Sequence, residues 1–99
     1  MRRFTLHRAR GAAGYALVVQ SDHLDALRAR AVLPLLPIGN APPPLPGLNP
    51  EFVLEGERLV MATHLLSAVD RTVLGPAVGD LAAERDRITA ALDLLLTGF

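Results

Sequence analysis

Only the last twenty residues of the chain, DLAAERDRITAALDLLLTGF, space their apolar positions with a helical period. Leu81, Ile88, Leu92, Leu95 and Phe99 recur at steps of three, four and seven, and so line one stripe of an α-helix over residues 80–99. A single helix cannot bury its own stripe, so the residues before it must supply the surface that covers it. Asp80, after Gly79, is suited to cap the helix. Glu84 and Asp86 place negative charge near the positive end of the helix dipole, and Gly98 suits the terminating position. The last turn carries more apolar residues than one stripe holds, because Leu94, Leu95 and Leu96 are consecutive and cannot all face the same core. At least one leucine is expected in solvent beside Phe99, and an apolar tip of that kind is costly without a partner to cover it.

Upstream the period changes to two. Residues 3–7 put Phe4 and Leu6 on one face, and residues 15–20 do the same with Tyr15, Leu17 and Val19, which predicts two strands joined by an Arg-, Ala- and Gly-rich loop over residues 8–14. Ser21, Asp22 and Asp25 mark a turn before a third strand over residues 30–36. Pro34 lies inside that run and cannot donate to a ladder, so the strand is expected at an edge or bulged there. Residues 37–50 hold six of the eight prolines and show no periodicity, which predicts a stiff surface loop of polyproline character. Residues 52–54 and 59–62 flank Glu55-Gly56-Glu57, a hairpin with Gly at its turn. Residues 65–74 hold a further short strand around Val69 and Val73, closed by Gly75 and Pro76. The expected fold class is mainly β with one C-terminal α-helix: an SH3-like antiparallel barrel or sheet of about five strands plus the terminal helix.

A chain of 99 residues forms one core, so residues 1–99 are read as a single domain. At 51% hydrophobic residues with positive mean hydropathy it is too apolar to be disordered. No apolar run reaches membrane-spanning length, and MRRFTLHRAR is too charged for a signal peptide, so a cytoplasmic protein without membrane association is expected. Absence of cysteine removes disulfides and thiolate metal sites. The formal charge is zero but uneven: residues 1–30 hold six Arg against two Asp, a net +4, and residues 31–99 hold four Arg against eight acids, a net −4. Opposite halves favour pairing within the chain or across a dimer over direct, sequence-specific nucleic-acid binding. All ten cations are Arg, first a compositional bias and second a preference for forked contacts to carboxylates.

Catalytic machinery is not visible. His7, His23 and His64 are remote from one another, none has a second ligand at metal spacing, and each reads as a surface or strand-end residue. Ser21, Asp22 and His23 have the letters of a triad, but adjacent residues cannot converge on one substrate atom. No phosphate-binding glycine loop is present, and Glu84-Arg85-Asp86-Arg87 reads as a solvated face with local charge pairing. Phe4, Tyr15 and Phe52 sit on strand faces and belong to the core, leaving Phe99 to project. Neither catalytic residues, a metal nor a cofactor is expected.

At Val19-Gln20-Ser21-Asp22, then Leu24-Asp25 and Val32-Leu33-Pro34-Leu35, the chain resembles the CcdB family of bacterial toxins. The similarity continues through Gly56-Glu57 and Met61, through residues 63–75, and to the ending Asp93-Leu94-Leu95-Leu96-Thr97-Gly98-Phe99, with the proline-rich segment as the main departure. The resemblance implies the toxin of a type II toxin–antitoxin pair, a homodimer that binds the DNA gyrase A subunit through its helix ends and traps the complex of gyrase with cleaved DNA. It implies no reaction catalysed by the toxin, and a cognate antitoxin whose disordered C-terminal tail removes it. By position, the gyrase-facing residues would be His23, Leu24, Asp93, Leu96, Thr97, Gly98 and Phe99. Thr97 stands where the best-known member has a Trp that stacks on gyrase arginines, so an aromatic contact here falls to Phe99, and His23 replaces an apolar residue. The alternatives are an inactive or retargeted dimeric relative, or a ribonuclease toxin of the same general fold. A ribonuclease would need an acid, a base and an Arg at one site, and Asp25, Arg28, Arg30 and His23 are the local cluster the chain offers.

Overall fold

The computed structural model describes residues 2–9 and 13–98. Met1, Phe99 and part of the first expected loop, residues 10–12, lie outside the described residues, so the reading of Phe99 as a projecting aromatic does too.

Seven strands and one helix follow in chain order: β1 (Thr5–Ala9), β2 (Tyr15–Val18), β3 (Ala29–Pro37), β4 (Glu51–Leu54), β5 (Glu57–Met61), β6 (Ser67–Asp70), β7 (Leu74–Asp80) and α1 (Arg85–Thr97). The strands form one curled antiparallel sheet in the order β4-β5-β3-β2-β1-β7, with β6 also pairing β3. The expected class, mainly β with a terminal helix, therefore holds, with two more strands than the alternation shows. Alternation places Leu17, Leu33, Leu35, Leu59 and Met61 on the concave face, where Leu81, Ile88 and Ala91 from the helix segment close the main core. Phe4, Tyr15 and Phe52 are buried in it, as their strand positions predict.

β3 is the axis of the sheet, which corrects the expectation of an edge strand or bulge at Pro34. β2 pairs along one side of it, and on the other β6 pairs residues 29–32 and β5 pairs residues 35–37. Pro34 falls in the gap where those partners change over. Its missing N–H is on the gap side, while its carbonyl accepts from the Ala62 N–H at 2.9 Å. β7 corrects a second expectation, that Gly75 and Pro76 close the strand region. Both lie inside β7, which tolerates Pro because it is a terminal strand of the sheet and pairs only with β1, through an irregular register. The β4–β5 hairpin turns on Glu55 and Gly56, both at positive φ, as its sequence signals.

A 3-10 turn, Ala82–Glu84, precedes α1, and Asp80 Oδ1 accepts from the Ala82 N–H at 2.9 Å. Asp80 thus ends a strand and caps the short turn, while α1 proper begins at Arg85. At the other end Gly98 takes φ +87° and its N–H reaches the Leu94 carbonyl at 3.1 Å, the left-handed termination its position suggests. The proline-rich segment carries a 3-10 turn, Ile38–Asn40, and is otherwise irregular. Its far end is tied to the sheet by buried Asn49, whose Nδ2 donates to the Met61 carbonyl at 3.0 Å.

Candidate functional site

Helix α1 presents its two ends to different surroundings. At the C-terminal end Leu94 and Leu95 are half-buried, and Leu96 is 69% exposed. Leu94 is held back by the proline-rich segment, where a Cβ on Gly47 would sit 3.6 Å from Leu94 Cδ2. One of the three consecutive leucines therefore faces solvent. Asp93, Thr97 and Gly98 are exposed around it, with the Thr97 hydroxyl donating to the Asp93 carbonyl at 2.6 Å. This arrangement offers a small rigid apolar tip with no titratable group other than Asp93 among the described residues, and so suits contact rather than catalysis.

His23 and Leu24 belong elsewhere. They form the 3-10 turn Asp22–Leu24 after β2, with the Ser21 Oγ accepting from the His23 N–H at 3.2 Å and Leu24 49% exposed. His23 lines a cleft shared with Ala82 and Arg85, at the start of the helix. A helix of this length spans about 20 Å, so within one chain the six sequence-derived residues that are described divide into two groups at opposite ends of α1. Asp93, Leu96, Thr97 and Gly98 form one group; His23 and Leu24 form the other.

The cleft encloses about 580 Å³. Its floor is Phe4, which enters β1 at φ +70° and is fixed by its N–H to the Val18 carbonyl (2.6 Å) and by its carbonyl, which accepts from Leu81 N–H (2.8 Å). The Arg3 guanidinium lies 4.7 Å from the Phe4 ring centroid and donates from Nε to the Val19 carbonyl at 2.9 Å; Arg85 approaches the same ring at 6.0 Å. Arg2 completes the rim. Asp22 and Asp80 also line the cleft, but each spends an oxygen on a backbone N–H, of Arg3 and Ala82 respectively. The sequence pattern gave no hint of this cleft, because its arginines come from opposite ends of the chain.

Of the local cluster weighed for a ribonuclease, Arg30 and Asp25 come together while Arg28 turns to Asp70. Arg30 is 2% exposed, with its guanidinium donating to the carbonyls of Asp25, Leu27 and Ala29 and to the Asp25 carboxylate at 3.1 Å. It braces the loop between β2 and β3. Arg28 forks onto Asp70 at 3.2 and 3.3 Å. Ser21, Asp22 and His23 line one cleft, yet the serine oxygen serves the His23 backbone instead of its ring. His7 corrects the surface reading of the histidines: it is buried in β1, with Nδ1 donating to the Gly75 carbonyl and Nε2 on the Thr5 hydroxyl, both at 2.9 Å. It joins β1 to β7. No group of metal-ligating side chains gathers among the described residues.

The convex face of the sheet carries a second apolar layer. Ala16, Val18, Val32 and Leu74 are buried there with Val69 packed on them, around a depression of about 170 Å³ that Val73, Pro34 and Leu36 also line. No helix among the described residues covers this side.

The sequence matches the model of the family described as CcdB protein over residues 3–98. A comparison with curated protein sequences gives no match. Among solved structures, the fold is similar to an endoribonuclease in complex with its cognate antitoxin from a mycobacterial species, with a TM-score of 0.77 and 14% identity, covering 97% of this chain and 94% of that one. It is also similar to an endoribonuclease from a mycobacterial species (TM-score 0.75, 17% identity, 97% and 90% covered). A third likeness is to a structure described as an Mtb toxin (TM-score 0.70, 16% identity, 95% and 99% covered). At these identities the likeness is one of fold.

Proposed function

The chain belongs to the CcdB family of toxins of toxin–antitoxin systems, and from that premise we propose that it poisons DNA gyrase by binding, without catalysing a reaction. The observation that carries this reading is the end of α1: Leu96 stands 69% exposed on a capped, rigid helix, flanked by Asp93, Thr97 and Gly98. A ligand-binding tip of this kind costs little entropy to engage, because the helix is already ordered. Its chemistry suits insertion into an apolar pocket of the gyrase A subunit while that enzyme holds cleaved DNA. Phe99 is the adjacent aromatic and Thr97 supplies no ring, so the contact is expected to be weaker than one made by a tryptophan. His23 and Leu24, at the far end of α1, reach the same target only if a second copy places them beside its own helix tip. The uncovered apolar layer on the convex face supports such a homodimer. The antitoxin partner is supported by the family and by the fold likeness to a toxin bound to its cognate antitoxin.

The test is direct. Purified protein is incubated with gyrase, supercoiled plasmid and ATP, and the reaction is stopped with detergent and protease. Linear DNA is expected, and L96D or deletion of residues 97–99 is expected to abolish it. Intact plasmid at an excess of folded wild-type protein overturns the proposal. Degradation of added RNA in the absence of gyrase replaces it with the ribonuclease reading.

A further inference from the structure

We propose that the cleft floored by Phe4, between the start of β1, the turn Asp22–Leu24 and the start of α1, is a binding site for a phosphate group carried on a nucleotide-sized molecule. Three guanidinium groups, of Arg2, Arg3 and Arg85, border one concavity, and none is ion-paired to a carboxylate among the described residues. Elsewhere Arg28, Arg30, Arg58 and Arg87 each have a carboxylate partner within 3.2 Å. Asp22 and Asp80 line the same cleft and offset part of this charge, but each commits an oxygen to a backbone N–H, and an anion between the three guanidinium groups lowers the repulsion that remains.

The geometry favours phosphate over a carboxylate ligand. Arg3 commits Nε to the Val19 carbonyl, so its two Nη groups are held in a fixed plane with donors to spare. Arg85 shares the Phe4 ring with it. The Ser21 hydroxyl accepts from the His23 N–H and keeps its own proton to donate, and His23 also lines the cleft. Donors on several sides suit a tetrahedral anion, whereas a planar carboxylate needs one fork. At about 580 Å³ the cleft has room for much more than a lone phosphate. Phe4, the one phenyl ring among its lining residues, is buried under the guanidinium groups and offers no face for a base to stack on. Recognition therefore rests on the phosphate and is indifferent to base identity. This agrees with a chain whose overall charge is zero: the cationic surface is local.

The test follows amide shifts of the whole protein by NMR at constant ionic strength. Titrations use inorganic phosphate, a nucleoside 5′-monophosphate and the matching nucleoside. Saturable shifts confined to Arg3, Thr5, Ser21, His23 and Arg85 are expected with the first two and not with the nucleoside. Tighter binding of the monophosphate identifies a phosphate ester as the ligand; equal binding identifies the free anion. R2A/R85A, at two exposed positions, is expected to weaken binding about tenfold or more, since each forked contact to phosphate is among the stronger hydrogen bonds. R58A/R71A removes the same charge outside the cleft and is expected to leave binding unchanged. Equal loss in both double variants, shifts spread over the whole surface, or the same shifts from the nucleoside overturn the proposal. Gyrase is absent from this experiment, so it stands or falls independently of the poisoning reading.

Discussion

Gly14 holds φ +79° where β2 begins, and a Cβ built there would meet the Leu35 carbonyl oxygen at 1.9 Å. Tyr15 pairs with Leu35 in the β2–β3 ladder, so the clash falls on backbone that cannot move without breaking register. G14A is expected to cost about 3 kcal/mol or more in chemical denaturation, enough to unfold much of the population. G56A, also at φ +79° but with nothing within 4 Å, is expected to cost only about 1 kcal/mol. The sequence shows both as turn glycines; which one is irreplaceable depends on what lies opposite, and that is set by a strand twenty residues on. Phe4 is similar. Its burial is legible from alternation, but its φ of +70° is imposed by simultaneous bonds to Val18 and Leu81. Asp70 contributes to the dependence of stability on acid pH. Its carboxylate accepts from the Thr72 N–H and then the Thr72 hydroxyl, with Arg28 beside it, and these hold its pKa below the usual 3.8. A depressed carboxylate stabilises the fold above its unfolded pKa and loses that contribution as pH falls toward the folded value. Wild type is therefore expected to lose Tm as pH falls below about 4, and D70N to show a lower Tm at pH 7 but a shallower acid decline, read by thermal melts from neutral into acid pH.

Element by element, long periodic segments were legible and interrupted ones were not. α1 was visible because its stripe needs no knowledge of the sheet, and the β4–β5 hairpin because its turn residues have few other uses. β7 was hidden, since Gly75 and Pro76 punctuate a strand locally and only its terminal place in the sheet makes them tolerable. Pro34 misdirected the reading of β3 for the converse reason: a changeover of partners, invisible in sequence, leaves one residue of a central strand without need of an N–H. The two faces of α1 make separable predictions. Ile88 is fully buried in the main core, and I88A is expected to cost about 3 kcal/mol by transfer and cavity terms. Leu96 contributes to no core cluster, and L96A is expected to change stability by less than about 0.5 kcal/mol while reducing gyrase-dependent DNA linearisation. Loss of stability in L96A would place that side chain in a packed environment and remove the tip from the proposed contact.

For the molecule as a whole, one helix must serve a sheet with two apolar faces. The concave face is closed by α1, while the convex layer of Ala16, Val18, Val32 and Leu74 has Val69 packed on it, with Val73 43% exposed at its margin. β2 is buried at all four positions, where a sheet wetted on one side would alternate. A sheet with a second apolar face and no further element among the described residues to cover it suits a second layer, and in the proposed homodimer a symmetric copy supplies one with the same patch on both partners. The proposed dimer also answers a problem of geometry. In one chain His23 and Leu24 are separated from Leu96 by the length of α1, whereas across a two-fold axis the corresponding residues of the two copies can share one surface. V73D places an unpaired charge at the rim of the depression without touching the main core, and is expected to convert a dimer into a folded monomer in sedimentation experiments at tens of micromolar (about 10–50 µM, where a specific interface of micromolar affinity is populated). The monomer is then expected to keep its thermal transition in outline and to lose linearisation of plasmid by gyrase. A wild-type protein that sediments as a monomer at those concentrations would leave the convex face without an occupant and His23 without access to the helix tip, and the contact surface would shrink to the end of α1 alone.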